Sequence, residues 1–368
     1  MPGPFREFIL KIHSRCDLAC DHCYVYTMTD QRWRERPRTM SPEIVNSTAR
    51  KIFEHARDHG LSAVHVVLHG GEPLLAGPAG VERCVTALRS SSLEVGVSVQ
   101  TNGMVLDNGY LKVLRRLGVK VAVSLDGDRR AHDRHRRRRD GTGSHAAVSR
   151  ALRLLSSGPH RSLFTGLLCT VDLRNDPVTT YESLLEFAPP KVDFLLPQGN
   201  WLRPPPGHEP GATPYADWLI PVFDRWCAHR PPETRVRMFE EIMAVVLGGS
   251  SAVEGFGLTE PASVVVETDG AIERSDMLTA AYEGAAATGL NVLTDSFDDA
   301  LPLTIPEPRS AICAECEVFA SCGGGLYAHR FGADHTFGHP SVYCADLFAL
   351  ITHIRGRIGR ELAALRRP

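Results

Sequence analysis

Short runs of β-branched and apolar residues alternate with segments of helical hydrophobic spacing over the first two-thirds of the chain. Such alternation is typical of repeated β/α units around a parallel sheet. The predicted strands are residues 8–13, 63–68, 95–100, 119–125, 163–171 and 192–196. Six units rather than eight predict an α/β fold with a partial (β/α)6 TIM barrel, whose mouth is wide enough for a large substrate.

The remaining pattern predicts a second, partly helical region. After a segment rich in proline and glycine at 201–214, helical spacing covers 214–228 and 233–247, and a hairpin turns at Asp269-Gly270. An amphipathic helix starts at Asp346. The predicted divisions are a barrel core at 1–225, bridging helices at 226–255, a cysteine-containing domain at 256–345 and a packing helix at 346–368.

The composition is that of an ordinary globular protein, with 368 residues, 43% hydrophobic and 23% charged. A net charge of -2 gives no overall reason to expect a nucleic acid or a membrane as partner. The first residues lack the apolar stretch of an export signal, and no run is long enough to span a bilayer. Ten cysteines without an export signal favour reduced thiols and metal binding, so we expect a cytoplasmic protein.

Cys16, Cys20 and Cys23 follow the first predicted strand, with Tyr24 directly after them. A four-iron cubane normally takes four cysteine thiolates, so three of them on one loop leave one iron open to a small molecule. A zinc site with His22 as fourth ligand is the alternative. Zinc favours closed sets of ligands, often in paired hooks, and nothing pairs with Cys16 at that spacing.

Polar and glycine residues stand where the predicted strands end, and the active sites of such barrels lie at that edge. They are Gly70-Gly71-Glu72-Pro73, Thr101-Asn102, Ser124 with Asp126, and Gln198-Gly199-Asn200. A second cysteine group contains Cys313, Cys316, Cys322 and Cys344. Four thiolates suit either a four-iron cluster or a zinc ion, so spacing alone leaves both open.

Together, the two cysteine groups resemble those of radical S-adenosylmethionine (SAM) enzymes with a C-terminal SPASM extension. The resemblance implies that SAM binds the open iron of a [4Fe–4S] cluster held by Cys16, Cys20 and Cys23, and that 256–345 is SPASM-like. It also implies that the adenine of SAM binds at Tyr24 and that the amino group binds at Gly70, Gly71, Glu72 and Pro73. The ribose would bind at Ser124 and Asp126, near Thr101 and Asn102, and the carboxylate would bind at Arg136. Arg136 belongs to a run of seven arginines over 129–139, most of which we expect on a solvated face.

The chain departs from the full SPASM pattern at Leu326 and Ser275, where that pattern has cysteines. Both losses affect the same cluster, the one nearer the active site. The resemblance therefore implies one auxiliary [4Fe–4S] cluster with four protein ligands, for electron transfer or for holding the fold. Asp276 follows the lost ligand at a place where resembling enzymes have an acid near the substrate, so it is the candidate catalytic base. A capping or surface aspartate is the alternative.

Further segments resemble the FxsB-type maturases, which are radical SAM/SPASM enzymes that modify ribosomally made peptides. They include 11–16 (KIHSRC), 23–26 (CYVY) and 322–329 (CGGGLYAH). The resemblance implies a cyclophane-type C–C crosslink between an aromatic residue and a nearby β-carbon of a precursor peptide, with flavodoxin or ferredoxin as electron donor. A thioether or ether crosslink, epimerisation, and oxidation of serine or cysteine are alternatives, and so is a peptide-capturing scaffold without chemistry.

The cysteine inventory predicts the iron content. One cluster on three cysteines and one on four correspond to about eight irons per chain, at four irons per cubane. Iron and sulfide analysis of the anaerobically reconstituted protein should give this value. A content near that of three cubanes would contradict the assignment of a single auxiliary cluster.

Overall fold

The computed structural model describes residues 3–251, 253–258, 263–304 and 306–365. The chain forms two compact units, the first with residues 1–168 and 262–305 and the second with 169–261 and 306–368. The predicted divisions at 225, 255 and 345 stay predictions. None of the described helices has both the length and the apolar character needed to cross a membrane.

The elements follow each other mostly as alternating strands and helices. The strands are β1 (Glu7–His13), β2 (Ala63–Gly70), β3 (Glu94–Thr101), β4 (Lys120–Ser124), β5 (Phe164–Thr170), β6 (Lys191–Leu195), β7 (Arg235–Val236), β8 (Ser263–Val266), β9 (Ala271–Glu273) and β10 (Ala287–Asn291). The helices are α1 (Tyr24–Thr27), α2 (Pro42–Asp58), α3 (Gly77–Leu88), α4 (Asn108–Arg116), α5 (Arg129–His135), α6 (His145–Leu155), α7 (Pro177–Leu185), α8 (Pro214–Ala228), α9 (Arg237–Val246), α10 (Phe297–Ala300), α11 (Ala311–Ala314), α12 (Phe319–Cys322) and α13 (Cys344–Leu365).

The first unit is built on a sheet in which β1 is central. The strands lie in the order β10, β9, β8, β1, β2, β3, β4 and β5. From β8 to β5 the neighbours are parallel, with Phe8 opposite both Val66 and Val264, whereas β9 and β10 are antiparallel. Because β1 to β4 are parallel, the loops that follow them emerge at one edge of the sheet.

Local sequence explains why these elements form. Phe8, Leu10 and Ile12 alternate along β1 and are at most 1% exposed, so one face of this strand is entirely buried. Ser41 accepts a hydrogen bond from the third residue after it and Pro42 occupies the first turn, which together begin α2.

The loops after β1 and β2 approach each other so closely that only glycine fits at one position. The backbone N–H groups of Gly71 and Glu72 donate to the carbonyls of His13 and Arg15, both at 2.9 Å. A Cβ atom on Gly71 would lie 1.8 Å from the Tyr26 hydroxyl and 2.6 Å from the Arg15 carbonyl. The chain just before Cys16 is therefore held against the start of the next loop.

The second unit packs its long helices around one buried carboxylate. In this unit β6 and β7 form a short parallel pair, and α13 packs against α8 and α9. The side chain of Asp346 is buried and accepts hydrogen bonds from the backbone N–H groups of Tyr215 and Ala216, at 2.7 and 3.0 Å. A side chain of α13 thus caps the first turn of α8.

Most of the predicted elements are confirmed. All six predicted barrel strands occur within two residues of their expected bounds, helix 214–228 coincides with α8, and the hairpin turns at Asp269-Gly270 as expected. The helix expected from 233 begins at Arg237, and α13 begins at Cys344 rather than at Asp346. The sequence did not indicate that the hairpin extends the sheet beside β1.

Replacing Asp346 by alanine should destabilise the second unit. Two buried N–H groups would lose their acceptor, which costs about 1–3 kcal/mol. The midpoint of urea unfolding, followed by the fluorescence of Trp218 and Trp226 in α8, should fall. Asp217→Ala removes an exposed carboxylate from the first turn of the same helix, where it accepts a hydrogen bond from the Thr213 hydroxyl, and should lower the midpoint by much less. Equal midpoints for the two variants would contradict the capping role.

Replacing Gly71 by alanine should displace the loop that carries Cys16. The added methyl group would overlap the backbone of Arg15, so the additional change Tyr26→Phe should not restore the protein. After reconstitution the iron content should fall from about eight to about four per chain, since the second cysteine group is untouched. Gly359→Ala is the control, because a Cβ atom there has no neighbour within 4 Å. Full iron content in Gly71→Ala would disprove the steric argument.

Candidate active site

Cys16, Cys20 and Cys23 lie on the loop between β1 and α1 and are half-buried. Burial raises the pKa of Cys16, and it raises the pKa of Cys20 to about 12. The positive charge of Arg136 acts in the opposite direction on Cys20 and Cys23. These thiols become thiolates most readily when a metal replaces their protons, which is how metal binding is coupled to deprotonation.

The three sulfur atoms of this loop are not gathered as a single zinc ion would hold them. A tetrahedral zinc with Zn–S bonds of about 2.3 Å holds its sulfurs about 3.8 Å apart. In a cubane the thiolates stand further apart, because each binds a different iron. Among the described residues, no three metal-donor atoms that include a cysteine sulfur gather within 4.8 Å of one another. The groups that do gather so closely are Asp21 with His22 and His135, and His55 with His59 and Asp298.

Glu72 ties the loops after β2 and β3 together. Its carboxylate is 1% exposed and accepts hydrogen bonds from the Thr101 hydroxyl and the Asn102 backbone N–H, each at 2.7 Å, and from the Leu74 N–H at 3.0 Å. Burial raises the pKa of Glu72 to about 7. The Asn102 amide in turn donates to Asp17 at 2.8 Å, which connects this pair of loops to the cysteine loop.

Asp126 and Arg136 form a buried ion pair. The guanidinium Nε donates to Asp126 Oδ2 at 2.6 Å and Nη2 donates to Oδ1 at 3.1 Å. Burial alone would raise the pKa of Asp126, but Arg136 outweighs it and the pKa falls to about 2. Nε2 of His22 lies 3.9 Å from the same carboxylate. Two predicted SAM contacts therefore face each other beside the cysteine loop.

The remaining predicted SAM contacts stand at the same strand ends. Gly70 is the last residue of β2, Gly71 follows it, and the buried Pro73 begins the turn beyond Glu72. Ser124 is the last residue of β4. The structure thus brings the predicted residues of three strand ends to one edge of the first unit.

Asp276 is buried beside the end of the cysteine motif. The Tyr24 hydroxyl donates to Asp276 Oδ2 at 2.7 Å, Lys11 Nζ lies 3.6 Å from that oxygen, and His69 Nδ1 lies 3.8 Å from it. Burial raises the pKa of this carboxyl group, but the charge of Lys11 and the neighbouring groups outweigh it and the net shift is downward. Asp276 is therefore a carboxylate at neutral pH, and it is neither a helix cap nor an exposed residue.

A network of buried charges around Lys11 was not found from the sequence. Lys11 Nζ lies 3.0 Å from Glu267, and Arg36 bridges Glu267 and Glu273, both at 2.5 Å. The only sequence signal was a lysine inside the apolar run of β1, because a buried lysine requires a partner of opposite charge. The network joins β1 to the hairpin that carries Asp276.

Cys313, Cys316, Cys322 and Cys344 line one cavity in the second unit. The other walls of this cavity are mainly apolar, with Phe319 and Phe348 among them. Burial raises the pKa of Cys322 to about 11, and the neighbouring sulfurs add to the effect. Convergence of four sulfurs in an apolar cavity fits a cluster with all four ligands from the protein.

Comparison with known proteins supports this chemistry. Residues 10–171 match the model of the Radical SAM superfamily. The chain is 26% identical over 358 residues to a cysteine-type anaerobic sulfatase-maturating enzyme of Clostridium perfringens, covering 93% of this chain and 94% of that protein. It is 25% identical over 347 residues to the serine-type enzyme of Klebsiella aerogenes, covering 89% and 81%.

Solved structures show the same fold. The structure of native anSMEcpe with bound AdoMet and Cp18Cys peptide superposes with a TM-score of 0.82 at 21% identity, covering 97% of this chain and 99% of that one. Streptococcus suis SuiB bound to its precursor peptide SuiA superposes with a TM-score of 0.59 at 13% identity, covering 94% and 76%. Both likenesses extend over almost the whole of this chain.

The motif of three cysteines, the strand-end loops and the matching family model agree on one chemistry. SAM and [4Fe–4S] clusters are the cofactors that this chemistry requires. Residues 10–171 match the Radical SAM superfamily, and the chain is an enzyme with radical SAM chemistry that is similar to the anaerobic sulfatase-maturating enzymes.

Proposed function

We propose that this enzyme installs a cyclophane-type C–C crosslink between an aromatic side chain and the β-carbon of a nearby residue in a ribosomal precursor peptide. The motifs shared with FxsB-type maturases support the choice of reaction. A peptide substrate is also supported by relatives whose names describe maturation of sulfatases and by the peptide-bound structures of anSMEcpe and SuiB.

The observation that carries the proposal is the ionised Asp276 hydrogen-bonded to Tyr24. When bound, SAM and its cluster supply a 5′-deoxyadenosyl radical that takes a hydrogen atom from the peptide. Joining the resulting carbon to an aromatic ring leaves a ring radical that must lose a proton and one electron, and an oxidised iron–sulfur cluster of the enzyme would take the electron. Asp276 accepts that proton, because Lys11 and Tyr24 keep its carboxylate charged and fixed.

The other residues of the site bind and orient SAM. We propose that Cys16, Cys20 and Cys23 hold its cluster and that Gly70, Gly71, Glu72 and Pro73 form the wall at its amino group. Thr101 and Asn102 hold Glu72 in place, which ties the loop after β2 to the loop after β3. The pair of Asp126 with Arg136 places an anion and a cation together beside Ser124, suited to ribose hydroxyls and a carboxylate.

The second cysteine group is proposed to hold one auxiliary cluster. Leu326 and Ser275 occupy the positions of two missing ligands, so the residues for a further cluster are incomplete. With four thiolates the remaining site has no open ligand position, and a peptide cannot bind there directly.

Oxidation of a serine or cysteine side chain is the second candidate. It is favoured by the serine-type and cysteine-type sulfatase-maturating relatives, which match over most of the chain. Such a reaction leaves a carbonyl group on the substrate, whereas a crosslink leaves none. The two functions therefore give products that differ in reactivity as well as in connectivity.

Co-expression with the short open reading frame next to the gene tests the function. A crosslinked peptide should be lighter by a pair of hydrogen atoms, and fragmentation should fail within a segment that contains an aromatic residue. A product that reacts with a hydrazide probe would instead show side-chain oxidation. An unchanged mass in the presence of SAM cleavage would contradict both reactions.

Replacing Asp276 by asparagine should uncouple SAM cleavage from product formation. The shape is kept but the base is lost, so crosslinked product should fall at least about 100-fold while 5′-deoxyadenosine still forms. Tyr24→Phe keeps the carboxylate and should cause a smaller loss. Asp269→Asn, a half-exposed position on the same hairpin, is the control.

The pH dependence gives a further check on the same residue. Because the pKa of Asp276 is held below its ordinary value, any loss of product per SAM cleaved from this group should have its midpoint below the ordinary aspartate pKa of about 4. Wild-type product yield in Asp276→Asn would rule out the proposed base.

A further inference from the structure

Three of the arginines beside the cysteine loop are not used by the chemistry described above. Arg137, Arg138 and Arg139 are consecutive and exposed. We propose that they form a docking surface for a small acidic electron-transfer protein of the flavodoxin type, which delivers the electron that SAM cleavage consumes. The proposal rests on the proposed function in one respect, the need for an external reductant.

These residues belong to a short hairpin at 137–143, which we call the arginine hairpin. Its backbone pairs with the cysteine loop, since the Ala19 N–H donates to the Arg137 carbonyl at 2.7 Å and Leu18 pairs with Arg138 as an antiparallel bridge. The hairpin therefore extends the loop that carries the three cysteines. A protein bound to the hairpin would lie against that loop.

Side chains of the hairpin also contact the cysteine loop. The Arg139 guanidinium donates to the Cys16 carbonyl at 2.8 Å, and Arg137 Nη2 lies 3.8 Å from Asp21. Asp21 stands between Cys20 and Cys23 in the sequence. The arginine side chains thus place positive charge directly beside the cysteine loop.

The arginine hairpin is a fixed platform. Its turn is closed by Asp140, whose carboxylate accepts from the Thr142 N–H and hydroxyl at 2.9 and 2.6 Å. Gly141 has a φ of +84°, which other residues rarely adopt. A Cβ atom on Gly143 would lie 2.2 Å from the carboxylate of Asp133, so the base of the hairpin is tightly packed.

Nearby acidic residues also contact other groups. Asp126 faces the buried Arg136, Asp140 closes the turn, and Asp133 accepts the backbone N–H of His145 at 2.8 Å. Asp21 contacts His135 at 2.6 Å. The three exposed arginines outnumber the two carboxylates beside them, those of Asp140 and Asp21, so the hairpin is net positive in a chain whose net charge is -2.

The position of the arginine hairpin and its positive charge point to an acidic electron donor as its partner. An electron donor must approach the cysteine loop closely, and the hairpin is the charged surface joined directly to that loop. A cluster of fixed arginines attracts an acidic protein and raises the rate of encounter, with a strong dependence on salt. An acidic segment of the precursor peptide is the competing occupant, and the experiment below separates the two.

The test compares two charge reversals of equal size on the reconstituted enzyme. Arg137→Glu with Arg138→Glu alters the docking surface, and Lys112→Glu with Arg115→Glu alters exposed residues of α4 in the same unit. Arg139 is left intact because it contacts the loop. Iron content confirms that each variant is assembled, and Arg137→Gln with Arg138→Gln provides a milder change if the reversal reduces it.

The first readout is the affinity for oxidised flavodoxin at low ionic strength, which does not require turnover. The hairpin variant should bind at least about tenfold more weakly, with a flatter salt dependence, and the α4 variant should bind as wild type does. The second readout is 5′-deoxyadenosine formation. It should fall in the hairpin variant when flavodoxin and its reductase supply electrons, but not when dithionite does.

Unchanged flavodoxin affinity in the hairpin variant would overturn the proposal. So would weaker binding of an acidic precursor peptide with unchanged flavodoxin binding, because that result would assign the surface to the substrate. Equal losses with both reductants would also contradict a docking role. None of these outcomes depends on whether the product is a crosslink, so the proposed reaction can fail while the docking surface stands.

Discussion

Burial of one lysine in the central strand constrains the whole first unit. Lys11 is 3% exposed, and an unpaired charge at that depth would be prohibitively unfavourable. Glu267 and Asp276 compensate it, and both lie on or beside the hairpin formed by β8 and β9. The hairpin must therefore pack beside β1, and this packing places Asp276 at Tyr24. The packing that compensates the charge of Lys11 is therefore the same packing that positions the candidate base.

Close packing of backbone provides the second constraint. At Gly71 the loop after β2 lies against the chain before Cys16, and through Glu72 it is joined to the loop after β3. Loops from different strands are thus tied to one another by hydrogen bonds and packing within the protein. A site that must orient a reactive radical precursor benefits from such rigidity, because small displacements of reacting groups cost large factors in rate.

The sequence revealed most of the barrel and the cysteine sets because both depend on local signals. Alternating apolar residues mark strands such as β1, and the spacing of Cys16, Cys20 and Cys23 is visible without any structure. The pairing of Asp126 with Arg136 is not visible in the sequence, although the resemblance to radical SAM enzymes points to each residue separately. Nor is the position of Glu267 beside Lys11, since these residues are far apart in sequence and meet only when β8 joins β1. Long-range pairing of this kind has no periodicity that a single sequence can display.

The cap on α8 has a consequence for the life of the protein in the cell. Asp346 stands only two residues after Cys344, so the carboxylate that holds α8 and a cysteine of the second group share one helical turn of α13. If the proposed auxiliary cluster fixes Cys344, it also fixes that cap, and a metal-free chain would lose support for the long helices of its second unit. Iron supply would then govern how much of the enzyme survives proteolysis, so scarcity of iron would lower its abundance as well as its activity.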